Sequence, residues 1–163
     1  MVRFATKRSN RAHVNSAHWT QMDRITPDKR SLNMSRIRGA NTQPEIAVRS
    51  ALHKLGFRFS LRRKDLPGKP DIVLPAWCAV VQVHGCFWHR HSGCTNSGLP
   101  KTRTDFWAAK LNKNVDRDQR NLLALRELGW KVLTVWECEI DDQERLRERL
   151  TKFLLGGATG RGR

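Results

Sequence analysis

The chain has 163 residues, enough for one domain that buries most of the surface its extended form exposes. Its 31 Lys and Arg against 15 Asp and Glu leave a charge of +16, which favours a polyanionic partner, nucleic acid above all. An anionic membrane is disfavoured, because no basic helix backs onto a broad apolar face.

Residues 1–28 read as a polar, basic, flexible arm, with a short helix expected near Lys29–Arg36. Thr42-Gln-Pro-Glu45 predicts a helix start: Thr42 caps, Pro44 sits in the first turn and Glu45 completes a capping box. Val48, Ala51, Leu52 and Leu55 continue at helical spacing until Gly56. Phe57–Leu61 alternates as a strand, Asp65–Pro70 is a turn, and Asp71–Leu74 and Cys78–His84 are further strands. Lys101-Thr-Arg-Thr104 is expected to cap a long helix that Gly129 stops. Trp130–Trp136 reads as a strand covered on both faces, and a last helix runs from about Asp141 to Leu155. A basic Gly/Arg tail follows over residues 156–163, leaving 29–155 as the folded domain. The order predicts an α/β fold, a mixed sheet flanked by helices. No apolar run approaches the roughly 18 residues of a spanning helix, and Met1-Val2-Arg3 opens no export signal, so a cytoplasmic protein is expected.

The chemistry concentrates in residues 83–94, Val-His-Gly-Cys-Phe-Trp-His-Arg-His-Ser-Gly-Cys. A core strand needs no such polar groups, since a buried imidazole or thiol costs free energy unless paired or metal-bound. Cys86, His91 and Cys94, with Cys138 just after the last strand, make a Cys3His set suited to a closed tetrahedral zinc. His89 competes with His91 for that role, because it too stands at a ligand spacing from Cys86. Cys78 is left as a small hydrophobe within its strand. Asp71 opens one strand and Gln82-Val83-His84 ends the next, so both can approach one divalent cation, as in many Mg²⁺ nucleases. Imidazoles not claimed by zinc can move protons near neutral pH. Phe87 and Trp88 lie between zinc ligands, and with Trp107 they are candidate wedges for unstacking bases. Trp77, Trp130 and Trp136 read as core.

Taken together, His84-Gly-Cys-Phe-Trp-His89, Pro70-Asp71, Thr102-Arg-Thr, Phe106-Trp107, Lys113-Asn-Val-Asp-Arg117 and Val135-Trp-Glu-Cys138 closely resemble the very short patch repair endonucleases. The resemblance spans residues 29–155 and implies a restriction-endonuclease-like fold. It also implies nicking of duplex DNA 5′ of the thymine in T:G mismatches left by deamination of 5-methylcytosine. By resemblance Asp71 and the Val83 carbonyl would hold Mg²⁺, His84 and His89 would handle protons, and Glu45 would support the site. Cys86, His91, Cys94 and Cys138 would hold structural zinc, and Phe87, Trp88 and Trp107 would intercalate. Such an enzyme would act as a nucleoid-associated monomer on mismatched duplex DNA, with mismatch-repair proteins as further partners. Gln82 departs from the acid that restriction enzymes of this fold carry two positions before a lysine. The alternative is a zinc-stabilised DNA-binding module without catalysis, which would need neither Asp71, Glu45 nor the spare histidines. A zinc deaminase is disfavoured because its H-x-E and P-C-x-x-C pattern is missing.

Overall fold

The computed structural model describes residues 39–156 together with Thr26, Lys29 and Leu32. The expected basic arm, the helix near Lys29–Arg36 and the Gly/Arg tail therefore lie outside the described residues, apart from those three positions and Gly156.

Helix α1 (Gln43–Lys54) begins with the capping box that its sequence predicts. The Thr42 hydroxyl oxygen accepts from the Glu45 amide at 3.4 Å, and Glu45 accepts in return from the Thr42 amide at 3.4 Å. Strand β1 is only Ser60–Leu61, shorter than the expected Phe57–Leu61. Two constraints shorten it. The Phe57 amide is spent on the Leu52 carbonyl at the end of α1, and β2 (Ile72–Leu74) offers a ladder of three residues. Phe57 instead packs edge-on against Trp77, centroids 5.5 Å apart.

A tight turn over Pro75–Trp77 joins β2 to β3 (Ala79–His84). Its last position is Cys78, at φ 44° and exposed to solvent, so this cysteine lies outside the strand expected to bury it. The three-residue turn needs a left-handed residue to reverse the chain. Helix α2 (Thr104–Glu127) follows a long loop. Its N-cap is Arg103 at φ 53° with no side-chain cap, which corrects the capping role expected of Lys101–Thr104. Arginine carries no acceptor oxygen, and Arg103 lies over the Phe106 ring instead, 4.6 Å from its centroid. Strand β4 (Lys131–Trp136) and helix α3 (Gln143–Leu155, capped by Asp142) complete the described chain.

The sheet order is β1-β2-β3-β4, antiparallel except for the parallel pair β3–β4. Alternation at period 2 splits each strand between two cores. Ile72, Leu74 and Val81 face α1 and α3, meeting Val48, Leu52, Leu146 and Leu150. Val73 and Val80 face the other way, meeting Leu66 and Leu125, with Trp130 packed alongside. Helices thus cover both faces of a mixed sheet, as predicted. Each fully buried leucine contributes about 1.5–3 kcal/mol.

The turn before β2 is held against α2. Gly68 has φ +70°, and a Cβ there would stand 2.5 Å from Asn121 Nδ2. Gly68→Ala should therefore lower stability by about 1–2 kcal/mol from backbone strain, with the contact adding to it. In thermal unfolding, an Asn121→Ala background should recover the contact part and leave the strain.

Candidate active site and metal centre

The parallel pair ends with His84 beside Trp136, in register. Two loops leave from this point, one carrying Gly85–Cys94 and the other Glu137–Cys138. A cavity of about 790 Å³ opens beside them. Its walls include Glu45, Asp71, Val83, His84, His89 and Asp118, so the four residues expected to act in catalysis share one space.

Asp71 Oδ2 accepts from the Val83 amide at 2.8 Å, which fixes the carboxylate at the end of β3. The Val83 group in contact with Asp71 is thus its N–H; the carbonyl expected as a metal ligand belongs to the same cavity-lining residue. Burial raises the Asp71 carboxyl above its ordinary range; the Val83 bond opposes this, and the nearby Glu45 charge adds to it. Glu45 is 7% exposed and its carboxylate is already committed to the backbone amides of Asn41 and Thr42 and to the Thr42 hydroxyl. It can stabilise the site electrostatically while holding the start of α1. A divalent cation held by Asp71 would relieve its repulsion with the Glu45 charge.

His84 and His89 are stacked, centroids 3.9 Å apart and planes 11° from parallel. His89 Nδ1 lies 2.5 Å from Asp118 Oδ2. The ligand atoms of these three residues are close enough to suggest a second metal cluster. Stacking argues otherwise: in-plane lone pairs of parallel rings run side by side and do not converge on one ion. The arrangement suits proton transfer. Burial, then the His89 charge, pushes His84 down to about 4, so it stays neutral. Burial raises Asp118, but its bond to His89 and the charge of Arg117 outweigh that and hold its carboxyl below the ordinary range.

Cys86, His91, Cys94 and Cys138 converge on the far side of the loop, with ligand atoms within 4.8 Å of one another. His91 Nδ1 stands 3.6 Å from Cys86 Sγ and 3.4 Å from Cys138 Sγ. Sulfur and nitrogen bound to one tetrahedral zinc are about 3.6 Å apart, so the donor set fits that ion. Burial pushes the Cys86 thiol up to about 12, and burial likewise raises Cys138. A divalent cation would let these thiols ionise. His89, the competing ligand, points to Asp118.

Phe87, Trp88 and Trp107 meet edge to face, with centroids 5.0–6.1 Å apart. Phe87 and Trp88 are half-buried, but Trp107 is 7% exposed, which departs from the outward ring expected of it. It sits in the first turn of α2, where the loop rings cover it. Phe106, its neighbour in the same turn, is the exposed ring at 47%. Lys110 Nζ lies 5.5–6.0 Å from the centroids of Trp88, Phe106 and Trp107.

Sequence reasoning missed Asp118 and Asn114. Asn114 Nδ2 donates to the Trp88 carbonyl at 3.2 Å, tying the aromatic loop to α2. Their signal was a polar face: Lys110, Asn114, Asp118 and Asn121 recur at steps of 4, 4 and 3 along one helix. Trp136 was also misread as core, although it is half-buried between the two sites.

Comparison with known proteins agrees with this geometry. The family model described as DNA mismatch endonuclease Vsr matches residues 22–95. The type II nicking enzyme V.XorIIP of Xanthomonas oryzae is 52% identical over 81% of this chain and 96% of its own length. The DNA mismatch endonuclease Vsr of Escherichia coli is 42% identical over 78% of this chain and 84% of its own. The catalytic domain of the homing endonuclease I-Bth0305I, at 20% identity, shares the fold over 73% of this chain and all of its own, with a TM-score of 0.50. With that degree of identity across most of its length, the chain belongs to the very short patch repair endonucleases and is a DNA endonuclease of the Vsr type.

Proposed function

We propose that this endonuclease nicks duplex DNA 5′ of the thymine of T:G mismatches, the product of 5-methylcytosine deamination, and so opens very short patch repair. The observation that carries the reading is the His84–His89–Asp118 array facing Asp71 in one cavity, beneath an aromatic loop. A module that only binds DNA has no use for a neutral imidazole stacked on one that a carboxylate holds.

Neutral His84 is the base that takes a proton from the attacking water. His89, held by Asp118, gives one to the leaving oxygen. Asp71, with the Val83 carbonyl, would hold Mg²⁺, which when bound polarises the scissile phosphate. Cys86, His91, Cys94 and Cys138 would hold structural zinc, stiffening the loop that carries Phe87 and Trp88. Phosphate contacts from a +16 chain are blind to sequence. Selectivity then falls to rings that enter the stack, since opening a mispaired step costs less than opening a paired one. Phe87 and Trp88 are the rings nearest the surface; Trp107 follows only if that cluster parts.

End-labelled duplexes carrying T:G or C:G at one site, incubated with protein and Mg²⁺, test the reading directly. Asp71→Ala should slow nicking by about 10²-fold or more while leaving mismatch binding in a gel-shift assay largely intact. Near wild-type cutting by that variant would remove Asp71 from the mechanism.

The pH profile of kcat should keep its rate as acidity passes 6.5, because His84 stays neutral until about 4. The acid limb should have its midpoint well below 6.5, and a limb centred at 6.5 would assign the base elsewhere.

Trp88→Ala should reduce the preference for T:G over C:G duplexes more than it weakens binding to ordinary duplex. The two affinities are to be compared at one salt concentration, because phosphate binding depends steeply on salt. An unchanged ratio would make Trp88 a packing residue.

A further inference from the structure

Rings connect the two sites. The His91 imidazole lies flat on the Trp136 indole, centroids 4.1 Å apart and planes 4° from parallel. The same indole meets His84 edge to face at 5.4 Å and 76°. His84 in turn stacks on His89. Trp136 therefore touches both a ligand of the metal cluster and the general base. Its backbone is anchored: the Trp136 amide donates to Glu139 at 2.8 Å, and Arg149 grips Glu139 and the Thr134 carbonyl. The indole has a fixed root, with one face covered by His91.

We propose that Trp136 is a positioning residue for cleavage, its indole transmitting the placement of His91 in the metal centre to the ring of His84. Two contacts nearly at right angles define the orientation of His84: the face of His89 and the ring of Trp136. Without the indole the imidazole can swing while still touching His89. A base misplaced by about 1 Å can lose on the order of 10²-fold in rate. The metal would thereby act on catalysis through an orientation chain, beyond its effect on folding. This inference rests on His84 acting as the base.

The test is a double-mutant cycle on nicking of a mismatched duplex by the full chain, using Trp136→Leu and His91→Cys. The second variant leaves four thiolates, also a tetrahedral set, but removes the ring from the indole. Each single variant should lower kcat by about 10-fold or more with KM within about twofold, and each should still show tetrahedral Co²⁺ absorption after metal exchange. The double variant should be no slower than Trp136→Leu alone, because both changes break one chain. Trp136→Phe, which keeps a ring, should recover most of kcat. Multiplying rate losses, a defect confined to KM, or a Phe variant as slow as the Leu variant would overturn the proposal. If Trp136→Leu fails to hold metal, Trp136→Met, which also lacks the ring, replaces it in the cycle, and metal loss there too would overturn the proposal. Wild-type nicking unaffected by His84→Ala would instead sink the assignment of the base, whatever the cycle shows.

Discussion

Everything at the two sites hangs on the parallel pairing of β3 with β4. Six residue pairs, from Ala79 with Lys131 to His84 with Trp136, bring two strands to a common end. A parallel pair needs a long crossover, and here α2 supplies it. Closing that loop costs entropy that grows only slowly with its length, and the cost falls on folding once. In return Cys86 comes within 4.8 Å of Cys138 at their sulfurs, Trp136 meets His84, and Glu137 accepts the Cys86 amide at 3.2 Å. Slip this register by one residue and every side chain at the strand ends turns to the opposite face.

The crossover helix is more than a connection. Its 24 residues reach about 36 Å, from the aromatic cluster to the second core. Along one face it backs the loop rings with Trp107, holds the Trp88 carbonyl with Asn114 and orients His89 with Asp118. The cavity so formed has acids and imidazoles at its centre, with Lys64, Lys69 and Arg117 also in its walls. A phosphodiester is thus met by cations, while the acids and imidazoles sit where burial can tune them.

Much of this was legible in the residues, for identifiable reasons. The capping box at Thr42 and Glu45 is local chemistry, and it appears where the spacing put it. The strands β2, β3 and β4 were visible as apolar runs, although of β4 only Val135 is buried. The left-handed positions were not: Cys78 and Arg103 look like a core residue and a loop residue, and only the turn geometry makes them a reversal point and a cap. Asp118 was hidden for a different reason. A polar residue on a long helix is usually solvated, and what distinguishes this one is a histidine 29 positions earlier in the chain. Trp136 looked like core because aromatic residues in apolar strands generally are; its exposure at a strand end depends on where β3 stops.

Glu45 sits at the meeting of folding and chemistry, and this shapes which substitutions the position tolerates. Its carboxylate closes the first turn of α1 and places a negative charge beside Asp71. Glutamine would keep the reach to the Thr42 amide but forfeit the charge felt by Asp71. Aspartate would keep the charge but, one methylene shorter, fall away from that amide. Each conservative exchange satisfies one duty and breaks the other, so sequence drift at this position is closed from both directions.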